Sequence, residues 1–211
     1  GQLRPMLARR DCCLQSGLMS SEPKVHSPMD LKHQFLIAMP AMADTNFERS
    51  VVYVCDHSDR GALGLVINRP TDLTLGKLFD RVDLKLEIAP RKDDPVYFGG
   101  PVQIERGFVL HGASANFSST LAISDEISLT TSKDVLEAIA EGNGPDKVLV
   151  TLGYSGWGAG QLESEIAQNA WLTVNAAPQI IFDVPAGDKY DAALRLLGVD
   201  SSQLTGHAGH A

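Results

Sequence analysis

Residues 50–70, SVVYVCDHSDRGALGLVINRP, leave this chain little choice of fold. Two apolar arms, residues 50–55 and 62–68, flank the turn-rich DHSDRG, and their β-branched content suits a pleated strand better than a helix. A hairpin is predicted, ended by Asn68, Arg69 and Pro70, because proline has no N–H to give to a central ladder. Other segments must then pair with this hairpin and cover it.

Those segments are legible in order. FLIAM reads as a short strand stopped by Pro40, and PAMADTNFER as the loop that leads to the hairpin. In TLGKLFDRVDLKL, Leu75, Leu78, Phe79 and Val82 fall on one helical face, with Thr74 placed to cap it. After the charged loop APRKDDP come VYFGGPV, the strand ERGFVLHG, and two short strands at SSTLAIS and EISLT around the turn pair Asp125 and Glu126. SKDVLEAIAEGNG is the clearest helix, capped by Ser132 or Thr131 and ended by Gly142 or Gly144. KVLVTLGY reads as a strand, followed by a glycine loop, the helix QLESEIAQ, a short WLTV, a strand QIIFDV and a last helix YDAALRLLG. Strands outnumber helices and come first in hairpin-like pairs. The class expected is α+β, a single domain with a mixed, largely antiparallel sheet.

The 211 residues divide unevenly. Residues 1–28 mix Arg, Ser and Pro with two adjacent cysteines and show no periodicity, so they read as a tag remnant or a loose arm, with Met19 or Met29 as the natural start. Residues 29–198 form the domain, and 199–211 are expected to be a flexible tail. The opening segment lacks the apolar core of an export signal, and no apolar run is long enough to cross a bilayer. It holds four Lys or Arg and two Asp or Glu, which leaves the remainder 14 basic and 24 acidic side chains, a formal charge of −10. Such an excess repels nucleic-acid phosphates and anionic lipid, so direct nucleic-acid binding and membrane association are not expected. Only Cys55 lies outside the opening segment, which excludes a disulfide scaffold and favours a reducing, cytoplasmic setting.

One stretch advertises a ligand: VTLGYSGWGAGQLESEI, with four glycines in eight residues before a helix. A phosphate loop of the nucleotide-triphosphatase kind needs Lys followed by Ser or Thr after its last glycine, and here stand Gln161 and Leu162. A dinucleotide fingerprint finds Gly158 and Gly160, with Asp183 about 20 residues on, but Glu163 occupies the third glycine position. Glu163 and Glu165 in the first helical turn would repel a pyrophosphate. The corner is therefore read as a strand-to-helix turn in which Gly156 and Gly158 ease the backbone and Trp157 and Trp171 anchor the core, and no cofactor is expected.

Other chemistry is sparse. Cys55 and His57 share a strand face, and a thiol beside an imidazole can make a nucleophile, but a catalytic pair usually converges from different elements. His111 ends the strand FVLH and would matter if it met His57 and Cys55 in space. Gly99 and Gly100 in YFGGPV answer either a sharp turn or a close ligand, and Asn68, Arg69 and Arg106 stand near such turns where an anion could sit. Metal-ligand spacings of the C-x-x-C, H-x-x-x-H and H-E-x-x-H kinds are absent, so no metal is expected.

Taken together, FLIAMPAMADTNFERSVVYVCDHSDRGALGLVINRP, YFGGPVQIERGFVLHG and LGYSGWGAGQLESEIAQNAWL, in that order and spacing, resemble the AlgH/YqgE family of small bacterial proteins from about residue 30 to residue 198. The resemblance implies a single α+β domain whose mixed sheet folds partly into a barrel with helices packed against it. It carries no catalytic residues. The family's name implies a transcriptional regulator, which the acidic charge and the lack of a helix-turn-helix pattern disfavour as a DNA contact. Two readings follow: a regulatory or interaction protein acting through a protein partner, or a small-ligand binder or enzyme using a cleft near Gly99–Gly100 and Gly153–Gly160. Ligand contacts on the second reading would come from Asn68, Arg69, Gly99, Gly100, Gly156, Trp157, Gly158, His57 and His111.

Overall fold

The structure is a computed structural model that describes residues 29–40, 42, 44–85 and 91–204. The hairpin arms become β2 (Val51–Ser58) and β3 (Gly61–Val66), and β1 (Gln34–Ala38) pairs antiparallel to β2 on its other side. Val51, Tyr53 and Cys55 face one way, Val52 and Val54 the other, and all five are fully buried. Both faces of this part of the sheet are covered, which explains an unbroken apolar run where a half-exposed strand would alternate.

Downstream come β4 (Pro70–Thr74), α1 (Leu75–Arg81), β5 (Pro95–Phe98), β6 (Val102–Gly112), β7 (Thr120–Ala122), β8 (Ile127–Thr130) and α2 (Asp134–Glu141). The last third holds β9 (Val148–Gly158), α3 (Gln161–Ala167), β10 (Trp171–Asn175), α4 (Pro178–Phe182), α5 (Lys189–Leu196) and α6 (Ser201–Leu204). The strands form one curled sheet in the order β10-β1-β2-β3-β9-β6-β8-β7, with β5 beside β9 and β4 beside β5. Among the described residues only the β5–β9 pair is parallel, so the α+β class and its mostly antiparallel sheet hold.

β9 joins the two halves of the sheet. Its end, Ser155–Gly158, pairs with β3, and its start, Val148–Leu152, pairs with β6. Between them Gly153 takes φ +75°, and a Cβ there would lie 2.3 Å from the Gly100 carbonyl oxygen. A side chain is excluded by both strain and contact. One core cluster gathers Phe35, Ile37, Tyr53, Leu65, Phe108 and Leu110 beneath α4 and α5. A second, on the opposite face, holds Leu36, Val52, Val54, Trp157, Leu162 and Trp171, and a third lies under α1 and α2.

Two expectations are corrected. The glycine stretch is not a loop after a strand: residues 153–158 continue β9, and the turn comes only at residues 159–160, where Gly160 (φ +72°) leads into α3. QIIFDV is helix α4, because Pro178 at its first turn has a φ already suited to a helix and a short apolar run has no decisive period. The hairpin ends at Val66, before Asn68, Arg69 and Pro70 as expected, and Pro70 opens β4, an off-path strand where a missing N–H is tolerated. Within the expected tail, residues 201–204 form a one-turn helix, while residues 205–211 and the opening arm 1–28 lie outside the described residues.

Candidate functional site: an aromatic and acidic cleft

Helix α3 is tied to the sheet by two carboxylates that leave it in different directions. Glu163 reaches the end of the hairpin, where its Oε1 lies 2.5 Å from His57 Nε2. The backbone N–H of Leu31 donates to His57 Nδ1 at 3.2 Å, which places the imidazole proton on Nε2 and makes His57 the donor to Glu163. Partial burial opposes ionisation of Glu163, yet its own backbone N–H and the His57 bond hold its carboxyl below the usual range. With both ring nitrogens engaged, His57 has none left to move a substrate proton.

Glu165 turns the other way. Its Oε2 accepts the indole N–H of Trp157 at 2.7 Å and that of Trp171 at 3.0 Å, and its Oε1 accepts from the Gln161 amide at 3.3 Å. The two indoles meet edge to face, with ring centroids 6.1 Å apart, and Phe47 packs against both, at 6.4 Å from Trp157 and 5.5 Å from Trp171. Buried tryptophans need an acceptor for their N–H, and one carboxylate serves both.

This trio floors a cleft of about 400 Å³ whose walls are Met42, Asp44, Phe47, Pro101, Val102 and Gly156. The loop wall is held from behind by the link between β3 and β4. Asn68 accepts the Val51 N–H at 3.0 Å and donates to the Arg49 carbonyl at 2.8 Å. Arg69 donates to the carbonyls of Asn46, Thr45 and Glu48, the last at 2.7 Å. Asp44 caps the turn Thr45–Phe47 by accepting from the Asn46 N–H at 2.9 Å. Asn68 and Arg69 thus spend their hydrogen bonds shaping the loop that presents Phe47 and Asp44.

The opposite wall explains the glycines of YFGGPV. A Cβ on Gly99 would lie 2.4 Å from the Gly153 carbonyl oxygen, and one on Gly100 would lie 2.2 Å from the Tyr154 carbonyl. Close passage of β9, not a ligand, requires them, and Pro101 and Val102 then face the cleft. Of the residues singled out from the sequence, Gly156 and Trp157 line the cleft; Gly158 donates its N–H to Gln161 Oε1 at 3.0 Å beside it. Arg106 lies apart, over the ring of Phe108.

Cys55, His57 and His111 do not converge. His57 pairs with Ala62, which pairs with Trp157, whereas His111 pairs with Val148, at the other end of β9. Nine residues of strand separate those levels by roughly 30 Å. His111 donates from Nδ1 to the Gly112 carbonyl at 2.8 Å, accepts from the Thr130 hydroxyl at 2.7 Å, and is kept below its ordinary pKa by burial. Cys55 is fully buried, its thiol pushed up by burial and by nearby Asp56 and turned to the Tyr53 carbonyl.

Residues 35–202 match the model of the family described as AlgH-like. The chain belongs to the AlgH-like family. It is 63% identical over 190 residues to a UPF0301 protein of Paraburkholderia phymatum, covering 90% of this chain and 100% of that one. It is 65% identical over 182 residues to a UPF0301 protein of Bordetella petrii, covering 86% and 90%. Among solved structures it resembles the AlgH protein from Pseudomonas aeruginosa, with a TM-score of 0.72, 52% identity, and 88% and 98% of the two chains covered. A Corynebacterium diphtheriae protein at 19% identity and TM-score 0.64, covering 79% and 86%, shares the fold.

Asp44, Phe47 and Glu165 are cleft residues of this AlgH-like chain that its sequence does not single out. Trp157, Glu165 and Trp171 stand eight and six residues apart across a turn, a spacing that lets one carboxylate reach two indoles. That spacing was the available signal. Lys189 is likewise not singled out: it is 1% exposed, donates at 2.8 Å to the carbonyls of Ile67 and Ile181, and lies over the Tyr97 ring. Burial lowers it to about 8.

Proposed function

We propose that this AlgH-like protein is a cytoplasmic regulatory or interaction protein that acts through a protein partner, and that the partner docks at the cleft between the 44–48 loop, residues 101–102 and α3. The carrying observation is the cleft itself, in which Glu165 ties down the indoles of Trp157 and Trp171 while Asn68 and Arg69 hold the backbone of the loop that presents Phe47 and Asp44. Rigid aromatic anchors inside a polar rim are what protein recognition uses. The dispersal of Cys55, His57 and His111 supports a role without catalysis, and the acidic charge supports contact with protein over DNA. A reduced, buried Cys55 supports the cytoplasmic placement.

A photocrosslinking residue placed at position 44 or 161 in cells tests this, with exposed Leu121, which is not among the cleft residues, as the control position. The proposal expects one discrete protein adduct from both cleft positions and none from the control. Adducts of equal pattern from all three, or none from the cleft positions, would count against it. The volume also suits a small molecule. That second reading gains if stabilising metabolites are found in a thermal-shift screen while no protein adduct forms.

A further inference from the structure

Glu165 is a half-buried carboxylate whose partners are all neutral: two indoles and an amide. Among the described residues the ion pairs are His57–Glu163 and Lys147–Asp183, so neither Glu165 nor Asp44 has a cation within 4.0 Å. A carboxylate offers about four acceptor positions, and Glu165 uses three. Its remaining acceptor position and its formal charge therefore have no ion-pair partner among the described residues, in a cleft walled by Phe47, Trp157 and Trp171. An unpaired charge in such surroundings is costly, and a cation brought to it gains more than it would in water.

We infer that the cleft is a receptor for an arginine side chain presented by a basic segment of the partner protein; this rests on the partner-docking reading above. A guanidinium combines what the cleft complements. Its flat face stacks on aromatic rings, its weak hydration makes desolvation cheaper than for an ammonium, and its N–H groups match carboxylate oxygens. Asp44 at the mouth and Glu165 at the floor supply acceptors at both depths. The acidic excess of the whole domain adds long-range attraction for a basic segment.

The test is calorimetric titration of the full chain with an acetylated, amidated pentapeptide carrying one central arginine, beside the same peptide carrying citrulline, which keeps the shape and removes the charge. The arginine peptide should bind at least tenfold more tightly. Asp44→Asn keeps a capping oxygen and Glu165→Gln keeps an acceptor for the indoles, so both variants should stay folded by circular dichroism. Asp44→Asn should weaken the arginine peptide roughly three- to fivefold, Glu165→Gln should weaken it more, and raising the salt should weaken it further. Equal binding of the citrulline peptide, or undiminished binding by the double variant, would overturn the inference, as would no binding at millimolar peptide. Should the peptide bind as expected while crosslinking in cells yields no protein, the arginine site stands and the protein-partner reading fails.

Discussion

The carboxylate of Glu165 receives the indole N–H of Trp157 across the strand-to-helix corner, at 2.7 Å and eight residues away. The same oxygen holds Trp171 at 3.0 Å, so removing the carboxylate strands two buried donors at once. Glu165→Ala should lower stability by roughly 2–4 kcal/mol, since each unsatisfied buried group costs about 1–3 kcal/mol. Glu165→Gln should recover most of that. Urea unfolding followed by tryptophan fluorescence reads both, and equal losses in the two variants would contradict the assignment.

Gly153 and Gly160 both have positive φ, yet they should respond differently to alanine. At Gly153 a Cβ meets the Gly100 and Val102 carbonyls at 2.3 and 3.1 Å, while at Gly160 nothing lies within 4 Å. Gly160→Ala should cost only the left-handed strain of roughly 1–2 kcal/mol. Gly153→Ala adds displacement of β9 and should fail to give a cooperative unfolding transition or lose well over 3 kcal/mol. Similar losses at the two sites would mean that φ alone matters.

How far these sites could be read from sequence depends on which interactions are local. The hairpin, α1 with its Thr74 cap, and the Gly142 stop of α2 follow from adjacent residues and are found as expected. Cap position in α2 is the exception: Lys133 takes it, and Ser132 bonds instead to Asp134. The glycines of 153–158 read as a loop because a strand that passes close to another backbone needs glycine as much as a loop does. Only the pairing partner, Gly100 or Gly61, distinguishes the two cases. Asn68 and Arg69 look like free polar groups at a turn because their hydrogen-bond partners, among residues 45–51, lie about 20 positions back in the chain. Glu165 was visible only as a charge near a helix start.

Arg69 grips three successive parts of the cleft loop, at Thr45, Asn46 and Glu48. Arg69→Lys has one ammonium in place of a planar fork and should release at least one of these carbonyls. Amide hydrogen exchange should then accelerate at residues 45–51 and leave α2 unchanged. Exchange that is unchanged at the loop would show that Arg69 does not hold it.

Lys189 carries a pH signature of its own. Its folded value of about 8 lies below the ordinary 10.5, so between those values the unfolded chain binds the extra proton and the folded chain does not. Stability contributed by this group therefore rises with pH across that window, by at most about 1.4 kcal/mol per pH unit, and is lowest where the buried ammonium is fully charged. The stability of Lys189→Met relative to the parent should fall as pH goes from 8 to 10. A difference independent of pH would show that Lys189 titrates alike in both states.

The Glu163–His57 tie gives the opposite sign. A carboxyl held below its usual value of 4.5 in the folded state contributes stability above that value and loses it as pH falls through the folded one. Thermal unfolding of Glu163→Gln should differ from the parent near neutrality and converge with it in acid. A gap that widens on acidification would contradict the hydrogen-bond assignment.

The most direct measurement of the recognition claim is a two-dimensional nitrogen–proton NMR titration with the arginine peptide, following the indole Nε1–H signals of Trp157 and Trp171. Both report on Glu165, so both should shift together along a one-to-one binding curve, and far less with the citrulline peptide at the same concentration, while the amide of His111, on β6 beside the start of β9, does not move. Indole signals unmoved at saturating arginine peptide, or moved equally by citrulline, would contradict the account.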